Sequence, residues 1–165
     1  MPFGESDVAI VDMAVHASVR EGLLKTNVNS FPHNNLEALE LKLRQSKDTY
    51  RTKMVIVDGV YSQDGDIAPL KQIIELTHAY GGIVLVDDAH GIGVVGATGR
   101  GALEMFDVLN QVDIITGTFS KTFSNVGGYL VADPELIEYL QFQSRQYAFS
   151  ASSPPSIIGV LRRSI

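Results

Sequence analysis

Lys121 is the residue whose type and position most strongly suggest chemistry. It follows the apolar run that ends at Ile115, and a lysine at the end of a buried strand is costly unless it is paired, neutral or covalently used. The residues before it, Gly117, Thr118 and Ser120, offer backbone N–H groups and hydroxyls that suit a phosphate. The segment therefore predicts an amine beside an anion-binding loop, with a solvated loop lysine as the plain alternative.

Asp87 is the second candidate, because it follows four aliphatic residues and opens the sequence Asp87-Asp88-Ala89-His90. One interpretation is a carboxylate at the edge of a dry pocket, held ionised by a cationic partner. The other is a cap for the next helix or turn. His90 becomes a candidate only through this neighbourhood. The remaining histidines, taken alone, are typical of structural positions: His16, His33 and His78.

The same residue types also occur in two other kinds of site. The run from 83 to 88 resembles the acidic strand of a nucleotide triphosphatase or helicase, but the sequence lacks the G-x-x-x-x-G-K-[ST] loop that such proteins need. A metal site built from Asp87, Asp88 and His90 is possible by spacing. Such a trio on a turn is common by chance, so we expect no metal.

Composition narrows the class of protein. The 165 residues (17.9 kDa) suffice for one domain or a piece of a larger one, and 45% are hydrophobic, so a core can form. A net charge of −6 argues against nucleic acid and against a polybasic membrane patch. With no cysteine, disulfides and thiolate sites are excluded. The short aliphatic runs and the acidic first twelve residues predict no membrane span and no signal peptide, hence a cytoplasmic setting.

The elements that must position these residues follow from the hydrophobic pattern. Aliphatic runs predict five strands, at 8–11, 54–57, 83–86, 113–115 and 129–132. Helical spacing predicts helices at 17–24, around 36–43 with Asn34 or Asn35 as cap, from Pro69 to the glycines at 81–82, from Pro134 (capped by Asp133) to about 147, and from about 155.

Strands of this kind, alternating with helices, predict the fold class. They indicate an α/β fold with a mostly parallel sheet and helices on both faces. Ligands gather at the carboxyl ends of such strands. Three predicted strands end in acids, Asp12, Asp58 and Asp87, and a fourth runs into the loop of Lys121. We therefore expect these groups to converge on one edge of the sheet.

Four segments in order carry a family resemblance: VIVDGVYSQDGDIAPL (55–70), VLVDDAHGIGVVGATGRG (84–101), DIITGTFSKTFSNVGGY (113–129) and SRQYAFSASSPP (144–155). Together they resemble the α-oxoamine synthases, fold-type I enzymes that use pyridoxal 5'-phosphate. The family includes serine palmitoyltransferase, 8-amino-7-oxononanoate synthase, 2-amino-3-ketobutyrate CoA ligase and 5-aminolevulinate synthase. The resemblance covers nearly the whole chain.

The resemblance implies a role for each candidate residue. Lys121 looks like the lysine that bonds to the cofactor's aldehyde carbon and later acts as base at the amino acid Cα. Asp87 looks like the partner of the pyridine nitrogen, and His90 like the residue that binds the phenolic oxygen. His16 looks like the imidazole stacked on the ring, although Val15 precedes it where the family usually has Asn.

Five serines and threonines complete the implied site. Ser62 resembles a serine near the cofactor, while Thr118 and Ser120 resemble phosphate contacts. Ser150 and Ser152 lie in a segment that, in the family, helps to build the neighbouring subunit's site, which implies a homodimer. Asp58 stands where many members carry Glu.

The implied reaction is a decarboxylative Claisen condensation of an amino acid with an acyl-CoA thioester. The stretches 65–71 and 117–128 slightly favour a serine palmitoyltransferase-like activity. The ketobutyrate ligase and oxononanoate synthase activities are the alternatives.

The resemblance also sets a domain expectation. Residues 1–165 match part of the large cofactor-binding domain, without the N-terminal segment and the C-terminal small domain of the family. Such a piece could be inactive on its own. The rival from another class is a non-catalytic remnant that retains the fold.

Overall fold

Strands and helices alternate along the chain in the computed structural model, which describes residues 4–164. The elements are β1 Asp7–Asp12, α1 Ala17–Gly22, β2 Asn27–Phe31, α2 Leu36–Ser46, β3 Thr52–Asp58, α3 Leu70–Ala79, β4 Ile83–Asp87, α4 Ala102–Met105, β5 Ile114–Thr118, β6 Gly128–Ala132, α5 Pro134–Gln143, α6 Arg145–Phe149 and α7 Pro155–Ser164. Within residues 4–164, no helix combines the length and apolarity needed to cross a bilayer.

One six-stranded sheet runs in the order β2-β1-β3-β4-β5-β6. The first five of these strands are parallel to one another, and β6 runs antiparallel to β5. The predicted α/β fold with a mostly parallel sheet is confirmed. The register places Asp58 beside Asp87, and Asp87 beside Thr116. The carboxyl ends of three neighbouring strands thus form one row of polar side chains.

The core is centred on β1 and β3, which explains why their sequences are aliphatic without alternation. All six residues of β1 and six of the seven in β3 are buried. Helices α2 and α3 pack on each other and cover this region with the apolar stripes that the sequence predicts, Leu39, Leu43, Ile73 and Ile74 among them. Asn35 caps α2, accepting a hydrogen bond from the N–H of Ala38 at 2.8 Å.

Four sequence-based element predictions need correction. Strand β2 was not predicted, because its sequence NVNSF is polar at three of five positions, as suits an edge strand. The helix predicted from Pro134 to about 147 is interrupted at Ser144, whose backbone is extended and whose hydroxyl caps α6. Asp133 makes no side-chain cap to α5. The short helix α4 was not predicted within the glycine-rich stretch.

Candidate active site

A cavity of about 250 Å³ lies at the carboxyl edge of the sheet, where β3, β4 and β5 end. This is near the lower end of the range for small-molecule sites. It is lined by His16, Ser18, Asp58, Asp87, Ala89, His90, Thr116, Gly117, Thr118, Ser120 and Lys121. The structure therefore brings together six of the nine predicted site residues: Lys121, Asp87, His90, His16, Thr118 and Ser120.

Asp87 ends β4 and begins the turn that carries His90. One oxygen of its carboxyl, Oδ1, accepts the N–H of Ala89 at 3.1 Å, and this bond fixes the side chain at the cavity wall. The next backbone N–H, that of Asp88, donates to the carbonyl of Thr116 at 2.9 Å. The turn that carries the lining residues Asp87, Ala89 and His90 is thereby tied to β5.

Asp88 points away from the cavity and organises the loop beneath it. Its carboxyl is buried, and Oδ2 accepts the N–H of Ala102 at 2.9 Å. Gly59, Gly91 and Gly101 crowd so closely around this carboxyl that a Cβ on any of them would collide with it. Burial, together with the nearby charge of Asp87, raises the pKa of Asp88 to about 7. Asp88 thus has a structural role: its buried carboxyl fixes the conformation of the glycine-rich stretch around it.

The Lys121 loop connects β5 to β6 and is held by one backbone hydrogen bond and one side-chain hydrogen bond. The N–H of Phe119 donates to the carbonyl of Gly127 at 3.0 Å, which closes the loop at its base. The hydroxyl of Thr122 donates to the carbonyl of Ile92 at 3.0 Å, which ties the loop to the glycine-rich stretch. Lys121 is exposed and lines the cavity, so its amine is accessible from solvent.

Thr118 and Ser120 form a small hydroxyl pair beside the lysine. Their Oγ atoms lie 2.7 Å apart, and the N–H of Ser120 lies 3.2 Å from the Thr118 hydroxyl oxygen. The Thr118 hydroxyl also donates to the carbonyl of Gly127 at 3.1 Å. The Thr118 proton and the Ser120 N–H are thus engaged within the loop. The Lys121 amine and the Ser120 hydroxyl, which can rotate away from Thr118, are the donors of this corner that suit an anion such as a phosphate.

His16 lies at the N-terminus of α1 and is anchored through its backbone. Its ring nitrogen Nδ1 accepts the N–H of Ser18 at 3.3 Å and lies 2.8 Å from the Ser18 hydroxyl. Its backbone N–H donates to Asp58 Oδ2 at 3.2 Å, and two residues earlier the N–H of Ala14 donates to Asp12 Oδ1 at 2.8 Å. Two strand-end acids thus position the exposed imidazole over the cavity.

His90 faces the cavity as a neutral imidazole at neutral pH. Burial, followed by the positive charge of Lys121, lowers the pKa of His90 below its ordinary value. A neutral ring carries one N–H donor and one acceptor nitrogen, so His90 can give one hydrogen bond to an oxygen in the cavity.

Asp58 is a cavity residue that the sequence analysis placed at this edge of the sheet but did not count among the site residues. It is 2% exposed, and its Oδ1 has no hydrogen-bond partner among the described residues. Burial, followed by the charge of Asp87, raises the pKa of the Asp58 carboxyl to about 7. The signal was present in the sequence, since Asp58 ends an aliphatic strand in the same way as Asp87. Only the strand order shows that the two are neighbours.

Three predicted site residues lie outside the lining of the cavity. Ser62 is exposed in the loop between β3 and α3, and Ser150 and Ser152 are exposed between α6 and α7. This last segment does approach the lysine loop, because a Cβ on Gly127 would lie 3.6 Å from the hydroxyl of Ser153.

Comparison with known sequences identifies relatives along almost the whole chain. The chain is 44% identical over 156 residues to an 8-amino-7-oxononanoate synthase from Thermoanaerobacter pseudethanolicus, which covers 93% of this chain and 40% of the relative. An 8-amino-7-oxononanoate synthase from Thermosipho melanesiensis is 43% identical, covering 92% of this chain and 39% of the relative. The chain thus spans about two fifths of the length of these relatives.

Comparison with solved structures gives the same fold. A serine palmitoyltransferase from S. paucimobilis with a bound PLP–myriocin aldimine superposes with a TM-score of 0.92 at 36% identity, over 98% of this chain and 41% of that one. An 8-amino-7-oxononanoate synthase from Francisella tularensis superposes with a TM-score of 0.77 at 26% identity, over 98% of this chain and 48% of that one. These relatives are consistent with the α-oxoamine synthase resemblance. Residues 3–165 match the sequence model of the family aminotransferase class I and II, and the chain therefore belongs to this family.

Proposed function

We propose that this chain forms the cofactor-binding part of a pyridoxal 5'-phosphate-dependent acyltransferase that condenses an amino acid with an acyl-CoA thioester. The observation that carries the proposal is that the Lys121 amine and the Asp87 carboxyl line one cavity. An amine that can bond to an aldehyde and an acid that can face a pyridine nitrogen are the two groups the cofactor needs.

The other lining residues fit the same cofactor. The hydroxyls of Thr118 and Ser120 would hold its phosphate, and the neutral imidazole of His90 would donate to its phenolic oxygen. The ring of His16 would cover its face. When bound, the cofactor supplies an electron sink for the bond that breaks at the amino acid Cα. Ser62 is proposed to lie near the cofactor in the whole protein.

Each residue then has a physical task. Lys121 would hold the cofactor through its amine, and the same amine, once free, would accept the proton from the amino acid Cα. Asp87 would supply the negative charge that favours a protonated pyridine nitrogen when the cofactor is bound. His90 fixes the ring edge by a hydrogen bond. The row Asp58, Asp87 and Thr116 keeps these groups in register because it belongs to three hydrogen-bonded strands.

The substrates are proposed as a class. The sequence relatives are oxononanoate synthases, and the structural neighbours include serine palmitoyltransferases. A palmitoyltransferase-like activity and an oxononanoate synthase activity are therefore both candidates, with the ketobutyrate ligase activity as a third. We further propose a cytoplasmic homodimer in which Ser150 and Ser152 contribute to the partner's site.

The cofactor proposal is tested by mixing the full-length protein with pyridoxal 5'-phosphate. We expect the visible absorbance of the cofactor bonded to a lysine, lost in Lys121→Ala and retained in the matched control Lys71→Ala on the exposed side of α3. A folded protein without this absorbance would support the rival interpretation, a remnant that keeps the fold. If the absorbance forms, turnover of Ser, Gly and Ala with several acyl-CoAs identifies the substrates.

A further inference from the structure

Asp58 and Asp87 form a pair of carboxyl groups in the wall of the cavity. They are register partners on the adjacent parallel strands β3 and β4, which lie about 4.8 Å apart. Register partners on parallel strands point to the same side of the sheet, and both residues line the cavity. The site therefore contains two carboxyl groups, whereas a protonated cofactor nitrogen would need only one negative charge beside it.

Two ionised carboxylates this close are unfavourable in a poorly solvated site, so one of them keeps its proton more strongly. Asp58 is the better candidate because it is 2% exposed, whereas Asp87 is half-buried. Asp58 Oδ2 accepts the N–H of His16, while Oδ1 has no partner among residues 4–164. A buried, unpaired carboxylate oxygen is costly, and a neutral acid costs far less.

We propose that Asp58 is a positioning residue of this site that works as a neutral acid: Oδ2 holds the backbone of His16, the buried Oδ1 keeps the proton, and Asp87 carries the negative charge of the pair alone. The role toward the cofactor rests on the function proposed above. The protonation of Asp58 is independent of that function, because it follows from the burial and the strand register of the chain.

The groups around Asp58 agree with this division. Burial is the main cause that raises the pKa of Asp58 to about 7, and Asp87 on β4 and Asp12 on β1 raise it further. The His16 N–H and the charge of Lys121 lower it. The phenol of Tyr61 is buried, and burial, with the charges of Asp12 and Asp58, raises its pKa, so it remains neutral.

The direct test observes the Asp58 carboxyl in the unmodified full-length protein. Carbon-13 NMR of labelled aspartate, with Asp58 assigned through its bonds to the backbone, follows its ionisation from pH 5 to pH 9. We expect a protonated carboxyl at pH 5 that titrates near neutrality. An Asp58 carboxyl that is ionised at every pH in this range overturns the proposal, whether or not the protein binds the cofactor.

Substitutions test what the neutral acid does. Asparagine has the same shape, with an oxygen to accept the His16 N–H and an amide N–H in place of the acid proton. We expect Asp58→Ala to weaken pyridoxal 5'-phosphate binding about tenfold, and Asp58→Asn to rescue it to within about threefold of the parent. Asp58→Asn should also remove the ionisation near neutrality from the pH dependence of the cofactor's absorbance.

The matched comparison is Asp87→Asn, which removes the charge from the other member of the pair. We expect it to lose at least about tenfold in cofactor affinity, because a charge-assisted bond is lost. An Asp58→Asn protein that binds as poorly as Asp58→Ala would overturn the proposal. Failure of the parent protein to bind the cofactor would instead reject the proposed function, and the NMR titration would still decide the state of Asp58.

Discussion

Asp87 and Lys121 face the same cavity from two different elements. Asp87 ends β4, where it pairs in register with Thr116, and β5 continues from Thr116 into the loop that carries Lys121. The relationship between acid and amine is thus set by one strand pairing.

The hydroxyl pair beside Lys121 leads to a prediction about the phosphate. Replacing Ser120 by Ala should weaken pyridoxal 5'-phosphate binding by about three- to tenfold, because one hydrogen bond to a charged group is lost. Binding of pyridoxal, which lacks the phosphate, should not change. Fluorescence titration with both compounds measures the two affinities, and an equal loss for both would place Ser120 away from the phosphate.

His33 leads to a prediction about pH and stability. Its imidazole lies 3.0 Å from the buried Asp12 and 2.8 Å from Asp66, so it joins the end of β1 to the loop between β3 and α3. Burial opposes its charge, yet the two carboxylates raise the pKa of His33 above the ordinary value. The stability it contributes is therefore present below pH 6.5 and is lost as the pH rises through the raised pKa.

We expect His33→Gln to lower the free energy of unfolding by about 1–3 kcal/mol at pH 6, with a smaller difference at pH 9. Urea unfolding at the two pH values measures this. His78→Gln is the control, since His78 bonds to Asp113 at a more exposed place and should cost less than about 1 kcal/mol. A His33→Gln effect that grows with pH would contradict the interpretation.

Gly101 is a position where two costs can be separated. Its φ is +86°, and a Cβ there would collide with the carboxyl of Asp88. We expect Gly101→Ala to lose about 3 kcal/mol of stability, of which the left-handed backbone accounts for about 1. Gly65→Ala isolates the backbone cost, because Gly65 has φ +72° and open space around it. Denaturant unfolding measures both losses of stability. Equal losses for the two variants would show that the structure relaxes to relieve the collision at residue 101.

Asp7 leads to a prediction at acid pH. The Arg51 guanidinium, with the N–H of Gly4, lowers the pKa of the buried Asp7 to about 2. Its stabilisation is therefore complete above about pH 4 and is lost as the pH falls toward 2. Arg51→Ala should cost about 1 kcal/mol at pH 7, since the guanidinium is largely exposed, and much less at pH 2.

Urea unfolding of the parent and of Arg51→Ala between pH 2 and pH 7 measures how much stability the Asp7–Arg51 pair contributes at each pH. Arg44→Ala is the matched control, because Arg44 pairs with Glu40 on the exposed surface of α2 and its loss should change stability little at any pH. A constant penalty for Arg51→Ala over the whole range would mean that Asp7 is not the partner through which Arg51 acts.

Local patterns were sufficient for most elements of the fold. Continuous aliphatic runs identified five of the six strands, and 3.6-residue periodicity identified α2 and α3 together with the stripes they bury. The polar edge strand β2 lacked such a pattern, because an edge strand buries little. The interruption at Ser144 could not be predicted either, since the surrounding residues all tolerate a helix.

In the candidate site, too, the local sequence shows some features, whereas others depend on the tertiary structure. Each acid at a strand end is visible in the sequence, and Lys121 stands out because it follows an apolar run. That Asp58 belongs beside Asp87, while Ser62 lies outside the lining, depends on strand order and loop path. No local spacing reports these, because the residues meet through pairing between distant segments.

The amino-acid sequence by itself therefore determined the chemical groups, the aliphatic strands and the parallel fold class, because these follow from residue type and short-range periodicity. The tertiary structure alone decided which groups share a cavity, which carboxyl is buried, and which histidine is held between two acids. The physical reason is that register and burial are properties of contacts between segments far apart in the chain. The energy of a charge depends on those contacts more than on its neighbours in sequence.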